Sequence, residues 1–119
     1  MQTAITEALS DMDSKDEILV MGIISSKEEK YNALWQRLHQ LRIAKKIHCK
    51  ALFSDKGTDY YRAFKKMKFM QVKVLEGITP SSIDVMKDRV LIITYGQDPS
   101  CLSIRNPEIA QSFTTFFYN

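Results

Sequence analysis

The spacing of apolar residues changes several times along this chain, and each change marks an element. Ile5, Ala8, Leu9 and Met12 recur at helical intervals, predicting a short amphipathic helix over residues 3–13. Ser14-Lys15-Asp16 breaks it. Residues 17–24 (EILVMGII) are a continuous apolar run of strand length, as expected for a strand covered on both faces. Ser25-Ser26 then offers a helix cap, and Glu28 and Glu29 fall in the first turn, where carboxylates suit the positive end of the helix. Tyr31, Leu34, Trp35, Leu38 and Leu41 form the clearest helical stripe, with Trp35 expected in the core. Arg42, Lys45 and Lys46 load the last turn of that helix, where cations suit the negative end.

Residues 48–53 (HCKALF) alternate like a strand, Asp55-Lys56-Gly57-Thr58 reads as a turn, and residues 60–67 as a shorter helix with a basic outer face. Residues 69–75 (FMQVKVL) alternate again, and Gly77-Ile78-Thr79-Pro80 is a loop. Two strands follow, 82–86 and 89–94, joined by Lys87-Asp88, a connection of hairpin length. A turn at Gly96-Gln97-Asp98-Pro99 leads to a strand over 101–104. Asn106-Pro107-Glu108 then supplies a helix cap, Pro at the first helical position and an early acid. Ile109, Phe113, Phe116 and Phe117 give the final helix its apolar face. The order α-β-α-β-α-β-β-β-β-α predicts an α/β domain with a mixed, mostly parallel sheet and helices on both faces. The first three strands alternate with helices, so parallel right-handed crossovers are expected, and the hairpin adds antiparallel strands.

The 119 residues fit one domain with one core, and the hydrophobic share of 45% and charged share of 26% are those of a globular chain. The longest apolar run is interrupted by Gly22 and falls short of the ~20 residues that cross a bilayer, so no membrane partner is expected. The acidic, amphipathic start lacks the basic and apolar regions of a secretory signal. Cys49 and Cys101 form no CxxC pair and read as small core residues in a reduced, cytoplasmic setting. The net charge of +3 hides an uneven distribution: residues 27–73 hold 13 Lys or Arg against Glu28, Glu29, Asp55 and Asp59. That excess is either solvated helix surface or a face that meets phosphates, an anionic ligand or an acidic partner.

Candidate chemistry is sparse. His39, His48 and the two cysteines lack metal-ligand spacing, so neither metal nor cofactor is expected. Phosphate-loop, dinucleotide and nucleophile-elbow motifs are all missing from the sequence. Asp84 and Asp88, four apart, could share one side of the hairpin, without a neighbour that marks an acid/base pair. In open α/β sheets ligands settle at the carboxyl ends of parallel strands. Here that position gathers Ser25 and Ser26, then Ser54, Asp55 and Lys56, then Thr79, Ser81 and Ser82. Backbone N–H groups, hydroxyls and a Lys suit a small polar or anionic molecule, and the same residues also serve ordinary capping and turns.

The element order resembles one half of a phospholipase-D-like fold. Residues 38–55 (LHQLRIAKKIHCKALFSD), and residues 72–117 with their Thr-Pro loop, charged hairpin turn and Asn-x-x-Ile-Ala helix start, are similar to segments of TrmB-like transcription regulators. The resemblance spans residues 14–118 through several moderate segments in the right order. Catalytic members of the wider superfamily use a His-x-Lys-x4-Asp motif before the hairpin. With Asp88 in the Asp position, the His and Lys positions fall on Ser81 and Ile83; one residue earlier they fall on Pro80 and Ser82. Neither register offers a nucleophile or a phosphate clamp. The resemblance therefore implies a non-catalytic regulatory domain that senses an effector, forms a homodimer, or both. It also implies DNA recognition through a winged-helix domain not present in this chain. Residues 1–13 lie where that family links its domains, so the first helix is expected either to reach a dimer interface or to cap the sheet. The alternative function is a stand-alone nucleic-acid- or protein-binding module using the basic face of residues 27–73.

Overall fold

A computed structural model describes residues 2–23, 29–53, 59–75, 82–94 and 100–118. Its elements are α1 (Gln2–Ser10), β1 (Glu17–Ile23), α2 (Glu29–Ala44), β2 (His48–Phe53), α3 (Asp59–Lys65), β3 (Met70–Val74), β4 (Ser82–Met86), β5 (Arg89–Thr94), β6 (Ser100–Arg105) and α4 (Pro107–Tyr118). The strands form one six-stranded sheet in the order β3-β2-β1-β4-β5-β6. β1, β2 and β3 are parallel, whereas β1–β4, β4–β5 and β5–β6 are antiparallel. The sheet is therefore mixed but not mostly parallel, which corrects the expectation. The reason lies in the connection between β3 and β4. The chain leaves edge strand β3 at its carboxyl end and enters β4 on the far side of β1. Three strand spacings separate them, about 14 Å, which a short linker spans directly. Only seven residues separate Val74 from Ser82, fewer than the dozen or more that a parallel crossover needs, so β4 runs against β1.

Helices cover both faces. Ile5, Ala8, Leu9 and Met12 of the first helix and its exit, Leu38 of α2 and Phe64 of α3 pack on Ile18, Val20, Cys49, Ala51, Phe53, Leu91 and Ile93. On the other face, Ala110, Phe113 and Phe117 of α4 pack on Leu19, Met21, Leu52, Ile83, Val85, Val90 and Ile92. Both sides of β1 are thus buried, which is what its unbroken apolar run requires. The Asn106 cap forms as expected: its Oδ1 accepts from the N–H groups of Glu108 and Ile109 at 2.9 and 3.1 Å.

The first helix belongs to the core. Its apolar residues are buried, and cations hold its carboxyl end: Lys45 donates to the Leu9 carbonyl, Lys87 to the Asp11 carbonyl, and Arg89 lies 2.6 Å from the Asp11 carboxylate. Of the two roles open to this helix, capping the sheet is the one the packing supports.

The long helix departs from its stripe. The side chains of Tyr31, Leu34 and Trp35 lie outside the described residues, so the placement expected for Trp35 is untested. Farther on, Leu38, His39 and Arg42 are buried, while Leu41 is 42% exposed. Arg42 turns inward in place of Leu41, and its guanidinium reaches a set of acceptors gathered beneath the end of the helix. Its Nε donates to His39 Nδ1 at 2.8 Å, and its Nη1 reaches the carbonyls of Ile47, Lys68 and Phe69 at 3.2, 3.0 and 3.2 Å. One side chain therefore joins the end of α2, the start of β2 and the turn into β3. The helix itself ends in a Schellman motif, with Ile47 N–H on the Arg42 carbonyl and Lys46 N–H on the Ile43 carbonyl.

Lys46 adopts φ 59 at the position where that motif prefers glycine. Lys46→Gly should raise stability by about 1 kcal/mol, read by urea denaturation, because the left-handed backbone costs a side-chain-bearing residue about that much. An unchanged or lower midpoint would contradict this account of the helix end.

Candidate functional site

The carboxyl ends of β1, β2, β3 and β5 and the start of β4 lie at one end of the sheet, as the strand registers require. Of the residues expected to hold a ligand there, Ser25, Ser26, Ser54, Asp55, Lys56, Thr79 and Ser81 lie outside the described residues. Ser82 is described, and it is buried at the first position of β4.

What the structure adds beside Ser82 is Asp84. Its carboxylate is on the face covered by α1, α2 and α3, because it pairs directly with Val20 on one side and Leu91 on the other. It is 1% exposed, and among the described residues its hydrogen-bond partner is Ser82 Oγ, at a long 3.4 Å from Oδ1. Burial pushes the Asp84 carboxyl up to about 7, with the Ser82 hydroxyl opposing the shift. Gly22 lies one step along β1 from the Met21–Ile83 pair. Its φ of 71 forms a bulge, where the β1–β2 register shifts between Met21 and Ile23. The sheet end thus combines a bulge only glycine adopts cheaply with a buried acid that switches between donor and acceptor near neutral pH. β4 is buried throughout, and the sequence marks Asp84 only as an acid within a short strand.

Asp84 and Asp88 do not share a side. Asp88 sits in the hairpin turn, with Arg105 Nε 3.2 Å from its Oδ2, and that hydrogen bond holds its carboxyl below the usual range. The histidines are also apart in character. His48 is exposed beside the Phe69 ring, whereas His39 is buried edge-on to Phe64. Because His39 Nδ1 accepts from Arg42, its proton is on Nε2; burial, then the Arg42 charge, pushes its pKa down to about 3. Burial pushes the Cys49 thiol up to about 12 and raises that of Cys101, so both stay protonated at neutral pH. The positions a catalytic His-x-Lys pair would take include Ile83, which is packed into the α4-side core, and Ser82.

Among the described residues no three His, Cys, Asp or Glu side chains are grouped to hold a metal, and no helix is long and apolar enough to cross a membrane. No protein-family model and no curated protein matches the chain.

The two buried titratable groups give opposing pH slopes. Asp84 has a folded pKa above its unfolded value of 3.8, so the folded form is favoured below about 4 and loses stability as pH rises to about 7. His39 has a folded pKa below 6.5, so its contribution is present above pH 6.5 and is lost as pH falls toward 3. Asp84→Asn should therefore stabilise the protein at pH 8, by on the order of 3 kcal/mol, and change little at pH 4. Urea unfolding across that range checks it; parallel pH profiles for the two proteins would show that Asp84 does not carry a raised pKa in the folded chain.

Proposed function

We propose that this domain is the regulatory part of a TrmB-like transcription regulator: non-catalytic, effector-sensing and dimerising, with DNA contacts supplied by a winged-helix domain outside the chain. The observation that carries the dimerising role is the outward side of α4. Only Ala110 of that helix is fully buried. Ile109 is 36% and Phe116 52% exposed, and on the same side of the sheet Leu102 of β6 is 57% exposed. α4 holds a single charged residue, Glu108, so two copies of this surface meet without like-charge repulsion. Symmetric regulators read symmetric operators, and a self-complementary patch suits that symmetry.

The non-catalytic reading is supported by the strand that precedes the hairpin. Ser82, Ile83, Asp84, Val85 and Met86 are all buried and include neither His nor Lys. The effector-sensing reading is supported by the position of Ser82, Asp84 and the Gly22 bulge at the sheet end where ligands of open α/β folds are held.

Sedimentation equilibrium at rising concentration should give a dimer, and Phe116→Asp should leave a folded monomer, because its carboxylate returns to water in the free subunit. Ile5→Asp should instead unfold the chain, since Ile5 is 2% exposed in the core. A strictly monomeric mass at high micromolar protein removes the dimerising role. Hydrolysis of phosphodiesters above background that Asp84→Asn or Asp88→Ala abolishes removes the non-catalytic one.

A further inference from the structure

The side of the sheet that carries α4 is only partly covered. The helix packs mainly over β1, β4 and β5 and reaches β2 through Phe117 and Tyr118; among the described residues β3 lies beyond it, with Gln71 and Lys73 exposed. Strand register places Lys50 opposite Gln71 and Leu52 opposite Lys73, and paired residues point to the same side. Leu52 packs against the α4 cluster, which fixes the side as the one α4 occupies. Four side chains therefore form a shelf of two rows, with Gln71 and Lys73 exposed and Lys50 and Leu52 half-buried.

The last turn of α4 walls this shelf. Tyr118 donates its hydroxyl hydrogen to Glu17 Oε1 at 2.5 Å and accepts from Lys50 Nζ at 2.8 Å, and Lys50 lies 3.5 Å from the other Glu17 oxygen. Phe117 stands beside it. The space so enclosed is about 560 Å³ and is also lined by Lys65. That volume suits a small molecule, and its lining combines an apolar floor with a few polar groups at the rim. Charge defines what it takes. Lys50, Lys65 and Lys73 face the cavity, while Glu17 is engaged by Lys50 and Tyr118; among the described residues neither Lys65 nor Lys73 has a carboxylate within ion-pair distance.

We propose that this shelf binds a small organic anion, its flat apolar body against Leu52 and Phe117 and its anionic head between Lys73 and Gln71. The inference rests on the effector-sensing reading above and gives that effector a chemical class and a second place in the fold. A nucleic-acid strand fits less well, because the cations converge on one bounded cavity and do not form a track along which successive phosphates would be neutralised. Lys50 is a positioning residue here: it fastens Tyr118, and so the wall, to the sheet.

Two dyes with the same rings isolate the charge. 1-Anilinonaphthalene-8-sulfonate should bind the unmodified chain at one site, at least roughly tenfold more tightly than uncharged N-phenyl-1-naphthylamine. Lys73→Gln and Gln71→Glu, both at exposed positions of β3, should each weaken the sulfonate dye by roughly tenfold and leave the uncharged dye within about twofold. Phe116→Ser, on the outward side of α4, should alter neither. On the unmodified protein, amide shift changes should centre on Leu52, Gln71 and Tyr118, which keeps the test decisive if a variant fails to fold. Equal affinity for the two dyes, shifts centred on Ile109 and Phe116, or displacement of the dye by an oligothymidylate strand with steep salt dependence overturns the proposal. The titration does not depend on self-association, so a monomeric chain that binds the sulfonate dye removes the dimerising role and keeps the site.

Discussion

The buried guanidinium of Arg42 is the contact on which the parallel half of this sheet depends. It is fully enclosed: its Nε donates to His39 Nδ1, its Nη1 reaches three backbone carbonyls from two separate segments, and its Nη2 lies 3.9 Å from Met67 Sδ. A cation removed from water costs several kcal/mol unless its donors are matched, and the fork of Arg matches several acceptors where a Lys would match fewer. One acceptor, the Phe69 carbonyl, also receives the Cys49 N–H at 2.8 Å, and Phe69 adopts φ 55 to present it. A bulky residue in that conformation stores on the order of 1–3 kcal/mol of strain, held by its neighbours. Arg42 and the Cys49 N–H supply that restraint, and they thereby set where β3 begins. The register that brings Gln71 to Lys50 and Lys73 to Leu52 follows from it.

This dependence explains why some of the fold was legible in the sequence and some was not. The hairpin strands 82–86 and 89–94 and the strand 48–53 emerge with the limits their alternation and turns predict, and the Asn106 cap forms because Asn and Pro stand where a helix start needs them. Local chemistry decides such features. The pairing of β4 against β1 depended instead on which end of the sheet the chain leaves, a geometric fact that no local pattern carries. Leu41 and Arg42 show the same division. Periodicity favours Leu on the buried stripe, but the acceptors that draw Arg42 inward come from Lys68 and Phe69, more than twenty residues away.

The candidate sites divide in a similar way. Loop residues rich in hydroxyls were visible in the sequence through their turn chemistry, and of these only Ser82 falls among the described residues. Asp84 was visible as an acid but not as a buried one, because its neighbours Val20 and Leu91 come from other strands. The lysine-lined shelf could not be read at all. Lys50, Gln71, Lys73 and Tyr118 come from three elements, and they line one cavity because the last turn of α4 ends over β2 beside β3. The basic excess between residues 27 and 73 hinted at an anionic partner without locating it, and one of its members, Arg42, proves to be structural.

Native-state hydrogen exchange on Arg42→Lys, compared with the parent protein, tests the role of this contact most directly. The substitution keeps the charge and removes the fork. Amides of β3 and of the start of β2 should exchange through an opening made easier by about 2–4 kcal/mol, while β4 and β5 keep their protection. Unchanged protection in β3, or an equal loss across all six strands, would contradict it.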